Sequence, residues 1–557
     1  MDYDEIVGLA KMVKEDRDEI RQRVGYRKIL DSCKQAQKDG YERLWVDTCC
    51  IDKRSSAELS EAINSMYRWY ENARVCYAYL HDVPDPLFPT ARDEERYYDF
   101  RGWPEWFSRG WTLQELIAPS NVQFFNKNWQ SIGDKKALAP TLVNITGIPE
   151  HILMHGLFGN RPCVAQIMSW AAKRTTTRVE DRAYSLMGLL EVNMPMLYGE
   201  GKKAFHSLQL EIIRASSDQS IFAWRCLDGD KLTGNILADD PSFFEYCGTM
   251  ELMGHDEFIE CLSGDGVPKE ELESIEDRLG TFSITNRGIQ IWLHLRRDTR
   301  FHTLFHAWLP CRSRSSDPPK TIDLILSESN YYRAPGIALL VLDSSPSLDT
   351  TSAGRPFPPS EPLWKLCQVY LRYQDPPRRN TTFKIDDSAL IENGFTCWGA
   401  YPKKFVRDTL TLTSINSLGI KVYFDNLTNT FLVVGLGQSL GKDWINAISD
   451  EPNIIPQTSK SWEVYIKNKY LEMKNRMPAH VRHVNNARSG VEQVCIIQTR
   501  LLRSDRILQI SSVTWKSSKI CGVKLGVFHD PGSSDISGEW TAFNIDVGCF
   551  FCRSHWH

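Results

Sequence analysis

One segment constrains the fold of this chain more than any other: LWVDTCCIDKRSSAELSEAINSMYRWYENARVCYAYL, Leu44 to Leu80. Its front end, the apolar run RLWVD, stops at the acid Asp47 and reads as a buried strand. Ser55 and Glu58 then stand at the spacing of a capping box. Behind them Leu59, Ile63, Met66 and Tyr70 recur at helical period, so one face of this helix points inward. RVCYAYL is a second apolar run of strand length. Strand, helix and strand at this spacing predict a βαβ unit, and with it a parallel sheet.

The flanking sequence extends this pattern. GYRKILDSCKQAQKDG places Ile29, Cys33 and Ala36 on one helical stripe that Gly40 ends. HDVPDPLFPTARDEERYYDF is a polar, proline-bearing loop. WFSRGWTLQELIAPSNVQFFNKNW predicts a helix followed by the strand NVQFFN. From Pro149 to about Ala215 the periodicity is helical, in CVAQIMSWAAK, RVEDRAYSLMGLL and GKKAFHSLQLEIIRAS. After SIFAW the pattern alternates, in runs such as FSITNRGIQIWLHL, TIDLILS, IALLVL, TFLVVGL and CGVKLGVFH, bounded by Gly, Asp, Asn and Ser. We therefore expect an α/β domain over 1–148, a helical extension over 149–225 and a β-rich region over 226–557.

Composition narrows the function. A chain of 557 residues at 42% hydrophobic content can bury real cores, and two to four domains are expected at roughly 100–200 residues each. The net charge of −4 and the lack of long single-sign runs argue against a nucleic-acid binder. The N-terminus has no signal-peptide core, and no apolar run approaches the roughly 20 residues that span a bilayer. The 15 scattered cysteines read as reduced thiols of a cytoplasmic protein.

Ligands of open parallel sheets bind beyond the carboxyl ends of the strands. The loop DTCCIDK sits at such an end, so Asp47, Asp52 and Lys53 are candidates to line a cleft. The plainer reading has the two acids bracing the loop and Cys49 and Cys50 packing as small hydrophobes. Adjacent cysteines have the wrong spacing for zinc, and no metal is expected. In RGWTLQELIAP, Trp111 and Glu115 are four residues apart on one helical face. A carboxylate beside an indole in a cleft can have a raised pKa or orient a sugar hydroxyl; otherwise Glu115 is a surface residue on a helix with a core-facing side.

Two further motifs lose their chemistry on inspection. FLVVGLGQSLGKDW resembles a phosphate loop, yet Gly435 and Gly441 have five residues between them, Gly437 and Gly441 have three, and Asp443 follows Lys442. It reads as a hairpin or glycine turn. The tail CFFCRSHWH offers Cys549, Cys552, His555 and His557, but His-x-His is too tight for a zinc finger and no finger helix follows.

LWVDTCCIDKRSSAELSEAINSMYRWYENARVCYAYLHDV, WFSRGWTLQELIAP and RVEDRAYSLMGLLEVNMPMLYGEGKKAFHSLQLEII together resemble the heterokaryon-incompatibility (HET) domain of filamentous fungi, from about Gly25 to Trp224. The resemblance implies non-self recognition: such proteins trigger death of the fused cell when incompatible hyphae meet. The HET family is itself similar to Toll-type (TIR) domains, which implies a flavodoxin-like parallel sheet and activation by self-association or by other incompatibility proteins. Some TIR enzymes destroy NAD through a glutamate on a tryptophan-containing helix. Carried over by position, that residue is Glu115, with Trp111, Arg109, Asp47, Asp52 and Lys53 as substrate-binding candidates. NAD is then a substrate, and no resident cofactor is implied. The other course the resemblance leaves open is a non-catalytic module that signals by association.

The chain departs from the HET pattern at its start. The family opens with a strand of the type Tyr-Ala-Ile-Leu-Ser-His, which is missing here. In a flavodoxin-like sheet that strand is central, so its neighbours are expected to keep unpaired backbone groups at roughly 1–3 kcal/mol for each one buried.

Overall fold

The computed structural model describes residues 2–529, apart from 13–19, 21–22, 158, 160, 227–233, 265–266, 269, 271, 274–279, 298–303, 328, 335–363, 375–380, 402–404, 407–408, 413–416, 440–441, 451–457, 476–482, 485–490, 501–505 and 516–519. The run IALLVL and the tail CFFCRSHWH lie outside the described residues. The chain divides into two compact units, 1–375 and 376–557. The first unit contains the expected helical segments and, beyond residue 225, a barrel that shares their core.

The first unit begins with α1 (Tyr3–Lys11), α2 (Val24–Lys38) and α3 (Ser56–Glu71). Gly40, at φ +83°, turns the chain after α2. Ser55 caps α3 by accepting from the Glu58 amide, and the Glu58 side chain accepts from the Asp52 amide. Of the expected stripe on α3, Ile63 and Met66 are buried, together with Ala62, while Leu59 and Tyr70 are half-buried.

β1 (Cys76–Tyr79) follows, then α4 (Thr112–Ile117), β2 (Val122–Phe125) and β3 (Ser131–Asp134). The sheet order is β1-β2-β3. β1 and β2 are parallel, with Cys76 opposite Val122, while β3 is antiparallel to β2. The connection β1–α4–β2 is therefore a parallel crossover through the helix that carries Glu115.

The expected strand RLWVD is not one: Arg43–Val46 joins no sheet. An apolar run becomes a strand only by pairing, and a cavity separates this one from β1. The sheet is thus three-stranded and mixed. The Cys76 amide donates to the Asn121 carbonyl and the Leu80 amide to the Phe125 carbonyl. Strand alternation turns the backbone groups of Tyr77 and Tyr79 the other way, where no partner meets them among the described residues.

Helices α5 (Ala139–Thr146), α6 (Glu150–His155), α7 (Val164–Ala171), α8 (Asp181–Tyr184) and α9 (Lys203–Ala215) enclose the core, in which Leu113, Leu116, Phe124, Leu142, Ile167, Tyr184 and Leu208 are fully buried. The barrel comprises β4 (Phe282–Thr285), β5 (Gly288–Arg297), β6 (Leu304–Leu309), β7 (Lys320–Ser327), β8 (Asn330–Arg333) and β9 (Trp364–Leu371). β5 pairs with β9 along one edge and with β4 and then β6 along the other, so β5, β6, β7, β8 and β9 close into a ring. Alternate residues Ile289, Ile291, Leu293 and Leu295 fall on one buried face, in the same apolar cluster as the helices.

The second unit is β-rich. Phe395–Tyr401, Ser417–Asp425, Thr430–Ser439 and Lys442–Asp450 form an antiparallel sheet. Neighbouring residues diverge at period two: Tyr423, Leu432 and Val434 pack with Phe383, Val523 and Leu525, whereas Val422, Phe431 and Val433 pack beneath the helix Ser459–Asn475. Ser439 pairs with Lys442, so the phosphate-loop look-alike is a β-hairpin. No helix among the described residues is long and apolar enough to cross a membrane.

Candidate functional site

A cavity of about 640 Å³ runs along the outer edge of β1. Lys28, Ile29 and Ser32 of α2 lie over it, and Arg43–Thr48 forms the bank opposite β1. Trp106, Arg109, Thr112 and Glu115 close one end. The sequence of α4 explains why Glu115 faces inward. Leu113, Leu116 and Ile117 are fully buried in the core, and buried Gln114 donates to the Ser185 carbonyl at 2.8 Å. Of these neighbouring residues only Glu115 reaches the cavity.

The environment of this carboxylate is unusual. Burial pushes its pKa up to about 7, and the charge of Asp47 adds to the rise, while Arg109, Lys28 and the Trp106 indole oppose it. The Tyr70 hydroxyl also faces it. Near neutral pH Glu115 is therefore poised between its two protonation states.

Aromatic faces and cations line the rest. Trp45 meets Trp69 edge-on at 5.3 Å and Tyr70 at 5.6 Å. Tyr79 stacks on Trp129 at 5.0 Å, and Lys28 Nζ lies 5.3 Å from the centre of the Tyr79 ring. Tyr77 is anchored by its hydroxyl, which donates to Asp39 at 2.6 Å. Lys28, Arg43, Arg74 and Arg109 face only two carboxylates, Asp47 and Glu115, so the cavity favours an anionic ligand with flat rings.

Three of the six residues singled out from the sequence meet here: Glu115, Asp47 and Arg109. The other three lie elsewhere. Trp111 packs against the core and interacts with Asp181 instead of lining the cavity. Asp52 is held by Arg54, which donates to both of its oxygens at 2.9 and 2.8 Å and pulls its pKa down to about 2. Arg54 also pairs with Asp4, tying the DTCCIDK loop to α1. Lys53 is exposed outside the cavity.

The two cysteines brace the turn. The Val46 amide donates to Cys50 Sγ at 3.4 Å, and burial beside Cys50 pushes the Cys49 thiol up to about 11. Among the described residues no cluster of three or more His, Cys, Asp or Glu is arranged to hold a metal. Sequence reasoning missed Lys28, Trp45, Trp106 and Trp129; the only signal for the three tryptophans was their density in this region, and Lys28 had none.

Comparison with known proteins gives the site a context. The family model described as Heterokaryon incompatibility protein (HET) matches residues 12–99. The Vegetative incompatibility protein HET-E-1 of Podospora anserina is 46% identical over 191 residues, 34% of this chain and 14% of that protein. The chain thus spans about a seventh of that relative's length. A solved structure, the lectin XCL of Xerocomus chrysenteron, aligns over its whole length with 27% of this chain at 10% identity, with a TM-score of 0.17 from which no common fold can be read. Over its N-terminal segment the chain is thus similar to heterokaryon incompatibility (HET) proteins.

Proposed function

We propose that this chain acts in vegetative incompatibility, the role its relative is named for, and that its N-terminal unit contributes by cleaving NAD between nicotinamide and ribose. The observation that carries the chemistry is Glu115, a half-buried carboxylate poised near neutrality in a cavity of aromatic faces and cations. Each part of a nicotinamide dinucleotide has a counterpart. Trp45 and Trp129 offer faces for the rings, Lys28 and Arg109 offer charge for the diphosphate, and the ionised Glu115 can hold ribose hydroxyls. The C1′–N bond breaks with its electron pair leaving on nicotinamide, which departs neutral. The resulting oxocarbenium charge is stabilised by the carboxylate, and water adds at C1′ and loses its proton.

The β1–α4–β2 crossover supports a TIR-like reading of the domain, with Glu115 on the crossover helix. That reading places the chain in the cytoplasm and implies cell death through NAD depletion after assembly with like domains. NAD loss by the purified full chain tests it. Loss that vanishes in Glu115→Gln is expected; no loss from a folded chain at high concentration rejects catalysis.

One observation favours the second reading, association without chemistry. The outer edge of β1 leaves the backbone of Tyr77 and Tyr79 open, and such edges accept added strands. On that reading Glu115→Gln keeps the killing of fungal cells, whereas on the first it abolishes it.

A further inference from the structure

The segment Arg174–Thr176, more than 60 positions from Arg109 in sequence, is spliced onto the start of the Glu115 helix. The Thr175 amide donates to the Ser108 carbonyl at 2.6 Å, and the Gly110 amide donates to the Thr175 carbonyl at 2.8 Å. Arg109 and Thr175 form a parallel bridge. The approach is close enough that a methyl on Gly110 would lie 2.5 Å from Thr176 Cγ2. Arg174 closes the splice. Its Nη1 donates to the Arg109 carbonyl and to the Thr112 hydroxyl, both at 2.8 Å. That hydroxyl in turn donates to the Trp106 carbonyl at 2.6 Å.

Arg174 is only 3% exposed. Among the described residues no carboxylate lies within ion-pair distance of it, and the one acid whose charge acts on it is Glu115. Burying a guanidinium without direct counter-charge is costly, and a loop that needed only hydrogen bonds could be held by a neutral donor. The cation is placed where it fixes two things at once: the backbone of Arg109 and the first turn of the helix bearing Glu115.

We infer that Arg174 is a positioning residue for the Glu115 site, setting the backbone of Arg109 and the first turn of the helix that carries Glu115 across the cavity. The inference rests on Glu115 being the working carboxylate of the proposed reaction. The charged and titratable groups facing Glu115 are Asp47 from the opposite bank, Lys28 from α2, Tyr70 from α3, Cys76 from β1, Arg109, and Arg174 from behind. Removing Arg174 subtracts a cation and loosens the backbone that aims a second one, Arg109, at the cavity. Both changes favour protonated Glu115.

The test is a titration of the full chain carrying ¹³C only at glutamate side-chain carboxyls, the Glu115 signal being the one lost in Glu115→Gln. Arg174→Gln is expected to raise the Glu115 midpoint by about half a pH unit or more, roughly threefold in proton affinity, and Arg174→Lys to restore most of it. A folded Arg174→Gln chain with an unmoved midpoint overturns the inference, as does a Lys variant that behaves like Gln. If Arg174→Gln does not fold, Thr112→Val decides. It removes the hydroxyl, leaves both charges, and must shift the midpoint the same way. A purely structural Arg174 would change stability and leave the midpoint alone. The pH profile of NAD loss is a separate arm. A shifted midpoint in a chain that consumes no NAD upholds the positioning role and counts against the catalytic reading instead.

Discussion

Lys135 Nζ donates to the carbonyl oxygen of Leu116 at 3.1 Å, in a core where Lys135 is 1% exposed. It also donates to the Pro119 carbonyl. The last carbonyls of a helix have no partner within it, and α4 is too short and too buried for water to serve. Lys135→Met keeps the stem and removes the donor. The expected loss is about 2–4 kcal/mol, from two buried acceptors left unsatisfied, read as a lower urea midpoint. Burial lowers the Lys135 pKa to about 8. The unfolded chain therefore holds this proton more tightly than the folded one from about pH 8 to 10.5, and the parent's stability should gain with pH across that window while the Met variant lacks the gain.

Glu115 should show a pH dependence of stability with the opposite slope. Its folded pKa of about 7 lies above the ordinary glutamate value of 4.5. Between those values the folded state binds more protons, so Glu115 makes the chain less stable as pH rises through the window. Glu115→Gln should match the parent near pH 4 and exceed it at pH 8, by at most about 3 kcal/mol and less where the cavity admits water. Urea unfolding at the two pH values checks this. The same variant should consume no NAD. A variant less stable than its parent at pH 8 would mean that the carboxylate is paired, not strained.

The sequence disclosed what periodicity encodes and hid what only tertiary contact decides. The N-cap at Ser55, the inward stripe of α3, the helix before NVQFFN and the alternating strands of the barrel could all be read, because each is a local pattern in residue spacing, although Glu58 completes no box and accepts from the Asp52 amide instead. RLWVD misled for the same reason: its composition suits a strand, but strand identity depends on a neighbour. Glu115 was accessible through its helix, whereas Trp111, a helical turn before it, is drawn to the core and to Asp181, partners far away in sequence. Arg174 in KRTTTR reads as a solvated loop residue. Nothing local marks a guanidinium that will be buried against a helix some 60 residues away.

Trp45 offers a test of ligand binding separable from stability. It is half-buried on the bank opposite β1, with its ring edge-on to Trp69 and Tyr70. Its half-buried ring packs on Trp69 and Tyr70, so Trp45→Ala should cost about 1–2 kcal/mol in folding, and the kinetics are read on chain shown to be folded. A stacking platform for a flat ring contributes about 1–3 kcal/mol. The expected result is a KM for NAD raised roughly tenfold with kcat nearly unchanged, the signature of lost uniform binding. A fall in kcat alone would move Trp45 from binding to chemistry.

Gly188 is required by one contact. A methyl there would lie 2.2 Å from Tyr67 Cβ and 2.7 Å from Tyr67 Cγ. Tyr67 belongs to α3, so its Cβ cannot yield without moving the helix that also brings Trp69 and Tyr70 to the cavity. Gly188→Ala is expected to destabilise the chain by about 2–3 kcal/mol, seen as a lower thermal midpoint, and to weaken NAD loss through α3. Because the clash is with Cβ, Tyr67→Ala should not rescue it. Tyr67→Gly should relieve the clash while adding about 1 kcal/mol of helix cost. If Tyr67→Ala does rescue Gly188→Ala, the ring and not the backbone approach sets the limit, and α3 is free to shift against Gly188.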